Sequence, residues 1–195
     1  MNETLNPDVT EESPPVPDKT DPKGLSGWVQ KLGATGYSLA FSAASLLGFI
    51  LIVSGYGTLQ TAGSGNPEVW SPPVWTRHLT LLLMIPALIL LAAAYIPSRI
   101  RDAVGHPMLA AIKIWALAHL IANGDLASII LFGSFLVFVV VDRISVKRRE
   151  SRGPLGERSG GLTGDVSAIA IGLAAYLLIA FYAHDWLIGV PVTSG

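Results

Sequence analysis

The 195-residue chain contains no cysteine, which excludes disulfides, thiolate metal sites and a cysteine nucleophile. Charge is scarce as well: 14% of the residues are charged, against 51% hydrophobic. Soluble domains carry about a quarter charged residues, so this balance indicates a membrane protein. The mean hydropathy of +0.52 agrees. The formal charge of −1, with no basic stripe among aromatics, argues against a nucleic-acid partner. No H-E-x-x-H, G-x-S-x-G, Walker or Rossmann motif occurs, so the chemistries those motifs serve have no support. No internal repeat suggests an inverted-repeat transporter. The opening stretch MNETLNPDVTEESPPVPDKTDPKG lacks the basic and apolar regions of a signal peptide. Its acids and prolines bury too little surface to offset ordering entropy, so residues 1–31 read as a disordered polar cytoplasmic tail.

What the chain does have is long apolar runs. Residues 36–57 and 75–96 are each long enough to cross a hydrocarbon core of about 30 Å. Pro86 inside the second run predicts a kink. A third region, Met108 to Val141, is about twice as long as one span, broken only by Asn123-Gly124-Asp125. We divide it into a tight helical hairpin, 107–122 and 126–142, with Asp125 as N-cap of the second arm. The last region, 165–190, places Tyr182 and Trp186 like interface anchors. The expected fold is an all-α, polytopic membrane helical bundle of about five helices, with the membrane domain over 32–191.

Loop charges test the count. Lys19, Lys23 and Lys31 precede the first span, Arg99 and Arg101 follow the second, and Arg143, Lys147, Arg148, Arg149, Arg152 and Arg158 follow the hairpin. The loop 58–74, the turn 123–125 and the tail after 190 hold no Lys or Arg. Basic and non-basic loops alternate, which predicts a cytoplasmic N-terminus. A single span over 108–141 would put the two strongest basic loops on opposite sides. The run RGPLGERSGG (152–161) reads as a flexible loop.

Against this apolar background the ionisable residues stand out. His78 and His184 lie about a turn from an interface, where an amphipathic ring can meet headgroups. Lys113 is placed to snorkel. His119 sits deeper, and ionisable groups at membrane depth normally face the bundle interior and mark a ligand or path. On a helix His119 shares a face with Trp115 and Asn123, and with Ala116 and Ala122. Small alanines there leave room for a flat ligand or for close helix packing. His106 and His119 are thirteen residues apart, roughly 20 Å along one helix, so they cannot clamp one metal. His119 with His78 or His184 is the pairing whose depth matches. Its other ring nitrogen needs an acceptor, for which Asn123 and Asp125 are the nearby candidates.

The stretches LGATGYSLAFSAASLLGFILIVSGYG (32–57), WSPPVWTRHLTLLLMIPALILLAAAYIP (70–97) and GHPMLAAIKIWALAHLIANGDLASIILFG (105–133) resemble the NnrU family of bacterial membrane proteins. DRISVKRR (142–149) and WLIGVP (186–191) match it too. The resemblance covers about residues 32–191, with HP…KxWALAHLxANGD as its specific signature. It implies a bacterial inner-membrane protein linked to nitrite and nitric oxide reduction in denitrification. The family is also similar to the zeta-carotene isomerase of plants, in which haem b lies between two histidines. That similarity implies haem b here, with His119 as an axial ligand. Family members usually begin with a further apolar helix bearing a histidine, and residues 1–31 show no such run. The second ligand is then another histidine of this chain, one from a partner chain, or none, and an open iron face suits nitric oxide.

Three functions are therefore weighed. One is a haem-binding accessory or sensor in nitrogen-oxide metabolism. Another is a haem-dependent cis/trans isomerase of a polyene such as a carotenoid. The third is a cofactor-free structural component of the membrane. The partners expected are the lipid bilayer, haem, nitric oxide, and a second copy or partner membrane protein. Candidate site residues are His119, His78 and His184, then His106, Lys113, Asn123 and Asp125.

Overall fold

The computed structural model describes residues 25–61, 63–148 and 159–188, without side chains at 25–30 and 34. The tail 1–24 and the loop cations Arg149, Arg152 and Arg158 lie outside the described residues. Contacts divide the chain into two units, Met1–Ile50 and Leu51–Gly195.

Helix α1, Leu25–Leu59, occupies the first unit and contributes its last turns, from Leu51, to the second. It begins inside the segment read as a disordered tail: residues 25–31, LSGWVQK, are helical. Acids and prolines end before Gly24, and Leu25, Trp28 and Val29 restore apolar spacing, so the composition argument stops there. At Gly33 the backbone takes φ 71 and ψ 162, a conformation open to glycine and costly for other residues. Within this unit Tyr37 and Phe41, one turn apart, stack with ring centroids 6.4 Å apart.

The second unit is a helical bundle. It holds α2 (Val74–Ala93), α3 (Arg99–Val104), α4 (Pro107–Ala122), α5 (Leu126–Arg148) and α6 (Leu162–Leu178). After α6 comes a π-helical turn, Ile179–Ala183, and then α7 (His184–Ile188). Among the described residues four stretches are long and apolar enough to cross a membrane: Thr35–Leu59, Val74–Ala93, Leu126–Arg148 and Leu162–Trp186. The hairpin's first arm, α4, is apolar but has only 16 residues. At 1.5 Å per residue it reaches about 24 Å, short of the hydrocarbon thickness. Its bounds, 107–122, agree with the sequence expectation. The second arm runs to Arg148, beyond 142, because the basic residues after Val141 are good helix formers at a C-terminus. Helix α2 continues through Pro86 as one element.

Helix α2 packs against both α4 and α6, and α4 packs against α5. Small residues permit this. Ala87, Ala93, Ala116 and Ala118 are buried, so backbones approach closely where lipid offers no hydrophobic drive between helices. A Cβ at Gly172 of α6 would come within 2.5 Å of the Ile89 Cα, so only glycine fits that crossing. Thr80 Oγ1 adds a hydrogen bond to the Ala118 carbonyl at 2.7 Å.

Each end of the bundle has its own fastening. At the α3 end Arg99 Nε donates to Asp165 Oδ2 at 2.7 Å, and the Ile100 N–H to Asp165 Oδ1 at 3.1 Å. The Arg101 N–H donates to the buried Ser98 Oγ, which caps α3. At the loop end the segment before α2 lies over the hairpin turn: the Val69 N–H reaches the Gly124 carbonyl at 2.8 Å and the Leu126 N–H the Pro67 carbonyl at 3.0 Å. Asp125 caps α5 as its sequence position predicts, Oδ1 accepting the Ser128 N–H at 2.9 Å.

Candidate ligand-binding cavity

Helix α2 presents one stripe to a cavity: Arg77, Thr80, Leu81, Met84, Ala87, Leu88 and Leu91 recur at helical three- and four-residue spacing. Facing it are Ala111, Ile112, Trp115, His119, Ala122 and Asn123 of α4 and its C-terminus. Tyr176, Ile179, Ala180 and His184 close the third side. Together they line a partly open cavity of about 490 Å³, within the range of about 300–1,000 Å³ usual for small-molecule sites. From Arg77 to Leu91 it follows about 21 Å of helix. The polar residues gather toward the loop end and the remainder is apolar.

His119 is held by its own helix. Nδ1 lies 2.8 Å from the Trp115 carbonyl, which can only accept, so Nδ1 carries the proton. In the neutral ring Nε2 then keeps its lone pair. Among the described residues no buried side-chain nitrogen or oxygen lacks a partner, so Nε2, which makes no bond, opens to the cavity. The acceptor is therefore a backbone carbonyl one turn back, not Asn123 or Asp125: a ring on a helix reaches that carbonyl without displacing anything. Asn123 lines the cavity but turns its amide to the His119 carbonyl at 2.8 Å. Beside the imidazole lie Phe132 at 4.6 Å and Trp115 at 5.2 Å between centroids, their planes tilted by 31° and 48° from its own. Phe132 and Phe135 in turn meet Trp115 edge-on at 5.1 and 5.3 Å. This aromatic wall fixes the ring's plane.

The π turn delivers the second imidazole. The His184 N–H bonds the Ile179 carbonyl, five residues back. In an α-helix residues five apart diverge by about 140°. The wider turn brings Ile179 and His184 to the same cavity wall, and such single π turns recur at functional sites. His184 and His119 line the same cavity.

The other candidates are elsewhere. His78 is exposed and outside the cavity lining, although its neighbour Arg77 is inside it. Lys113 is exposed on another face of α4. His106 stands at the N-cap position of α4, without a side-chain capping bond, at the opposite end from His119. Burial, and then Arg143 and Arg101 against the opposing Asp142, push its pKa below the ordinary imidazole value. Asp125 belongs to a separate network. Its Oδ1 accepts from Gln60 Nε2 at 3.1 Å and Asn66 Nδ2 at 2.8 Å, and Oδ2 from Ser128 Oγ at 2.5 Å. Because the Ser128 hydroxyl donates there, Tyr56, 2.9 Å away, donates to Ser128.

Among the described residues no three His, Cys, Asp or Glu side chains converge as a metal-holding group. Two imidazoles on an apolar cavity instead match a metal whose other ligands come from a macrocycle. The residues present thus fit a haem: a nitrogen with an available lone pair, an orienting partner behind it, and a second imidazole on the adjoining wall. Arg77 is the residue that sequence reasoning passed over. Its signal was available, since it opens the same stripe as Thr80, Leu81 and Met84.

The profile of the NnrU protein family matches residues 23–192. The chain belongs to this family, and the match takes in every residue of the cavity. No curated protein and no solved structure matches it.

Proposed function

For this member of the NnrU family we propose a haem-bearing membrane protein serving as accessory or sensor in nitrogen-oxide metabolism. His119 Nε2 is the iron ligand and His184 the second imidazole of the site. The observation that carries the reading is the tautomer of His119: Nδ1–H on the Trp115 carbonyl, Nε2 open to an apolar cavity. Haem held there would supply an iron centre that takes a diatomic such as nitric oxide in place of the His184 imidazole. The chain's own part is to orient the imidazole through Trp115 and Phe132, exclude water with Leu81, Met84 and Leu88, and offer His184 at the adjoining wall. The link to nitrite and nitric oxide reduction rests on the family resemblance; the bundle and its cavity support the haem. The alternation of loop charges supports a bacterial inner-membrane location with the N-terminus cytoplasmic.

The cavity's apolar extent along α2 favours a second reading, an isomerase acting on a polyene laid along that slot. The two are separated by what the purified protein does when given nitric oxide or a polyene.

The test is the Soret absorption of the full chain purified in detergent, with and without dithionite and nitric oxide. His119→Ala is expected to abolish imidazole-ligated haem absorption. His184→Ala is expected to shift the spectrum toward five-coordination, and His78→Ala to leave it unaltered. An unchanged spectrum for His119→Ala overturns the assignment.

A further inference from the structure

Of the residues that line the cavity, one carries a formal charge at neutral pH: Arg77. No Asp or Glu stands on that wall, and among the described residues no ion pair to Arg77 occurs. Arg77 is exposed one turn into α2, and a guanidinium so placed beside an apolar slot is best satisfied when an anion meets it there. Nothing on α4 or α6 supplies that anion.

Depth can be read from the Thr80–Ala118 hydrogen bond. Arg77 lies three residues from Thr80 toward the loop end, and His119 one residue from Ala118 in the same direction. At 1.5 Å per residue the two positions differ by about 3 Å in depth. The cation and the open imidazole nitrogen therefore serve one ligand, at one end of one cavity. Met84, Leu88, Leu91, Ala111 and Ile112 continue the wall with no polar group.

We infer that Arg77 binds a carboxylate on the cavity's ligand, and so fixes which edge of that ligand faces the loop end. The inference rests on the haem reading above and deepens it: the porphyrin's two carboxylates lie on one edge, and Arg77 selects that edge. A planar guanidinium suits this task because it meets a carboxylate with two parallel N–H donors. The rest of the macrocycle then lies along the apolar stripe of α2.

The experiment titrates the full chain, purified free of haem in detergent, with haem and with haem dimethyl ester, whose carboxylates are masked. Binding is read from the Soret band. The unaltered protein is expected to prefer haem about tenfold, the size of a charge-assisted hydrogen bond in a partly wet site. Arg77→Leu is expected to remove that preference, and Arg77→Lys to restore part of it. Arg77 is exposed, so these variants leave the packing of α2 intact. A band that His119→Ala abolishes but that ignores both esterification and Arg77 overturns this inference alone. Absence of any imidazole-dependent band, for either ligand, overturns the haem reading and this inference with it.

Discussion

Two polar groups of residues occupy the same end of the bundle, a few turns apart, and they differ in what they leave undone. Around Asp125 every strong donor has an acceptor: Gln60, Asn66, the Ser128 amide and the Ser128 hydroxyl all end on one carboxylate. Asn66 Oδ1 also accepts the Ala127 N–H at 3.1 Å, so the loop before α2 is sewn to the start of α5 twice. In the cavity, by contrast, His119 uses one nitrogen and presents the other, and Arg77 faces a wall without carboxylates. A saturated network in low dielectric stabilises a fold. An unsaturated one lowers stability and is kept where something else completes it. Phe132 stands between the two groups, packed against Tyr56 at 6.3 Å on one side and His119 on the other. The saturated network thereby holds the wall against which the unsaturated ring rests.

The sharpest way to break this comparison is to truncate one member of each group. Asp125→Ala leaves four donors without their acceptor, the capped Ser128 N–H among them. A loss of roughly 2–4 kcal/mol is expected, read as a lower melting temperature in detergent. His119→Ala in haem-free protein is expected to cost less, because it removes one bond to a carbonyl and the ring's contacts with Trp115 and Phe132 but leaves no side-chain donor without an acceptor. Equal destabilisation by the two variants would remove the distinction between saturated and unsaturated sites.

Acidity gives a smaller, directional effect. Burial raises the Asp125 carboxyl pKa, but bonds from Ser128, Asn66 and Gln60 outweigh it and hold the group below its ordinary range. A carboxyl whose folded pKa is depressed contributes stability above the unfolded value and loses it as pH falls through the folded one. The advantage of the unaltered chain over Asp125→Asn should therefore be constant near neutrality. It should shrink only below the ordinary carboxylate pKa of about 3.9. A difference in melting temperature that already narrows between pH 7 and 5 would mean that another group is responsible.

Much of this was legible before any coordinates. The bounds of α4 follow from Pro107 at a first helical position and from the Asn123-Gly124-Asp125 turn, which are local signals. Asp125 as a cap is local too. His119 could be singled out because a lone imidazole deep in an apolar run has few bland explanations. Which of His78 and His184 lines the same cavity could not. His78 and His184 have the same depth, and the choice depends on a π turn in Ile179–Ala183. That segment, IAFYA, holds no proline or glycine to announce it. The acceptor for His119 was sought among nearby polar side chains, whereas the helix's own carbonyl satisfies it. Arg77 does not stand out in the sequence, because an arginine three residues from the start of α2 reads as an ordinary interfacial cation. Its stripe with Thr80, Leu81, Met84 and Leu88 becomes meaningful only once α4 and α6 are seen to face that stripe.

The smallest effect is expected at the other end of the bundle, where Arg99 meets Asp165. At 2.7 Å the contact is as short as any around Asp125 but one, yet Arg99 keeps 63% of its side chain exposed against 12% for Asp165. Water and salt screen an arginine so placed, and holding its long side chain costs rotamer freedom. Arg99→Ala also leaves Asp165 with the Ile100 N–H, so the carboxylate keeps an amide donor after the truncation. A loss below about 1 kcal/mol is expected, smaller still in high salt, with the Soret band unmoved. The relevant measurement is the melting temperature of Arg99→Ala at low and high ionic strength. If the variant falls as far as Asp125→Ala, and salt does not narrow the gap, then bond length at the bundle ends matters more than how many donors a carboxylate gathers. The division into fastening and site would then have to be drawn on other grounds.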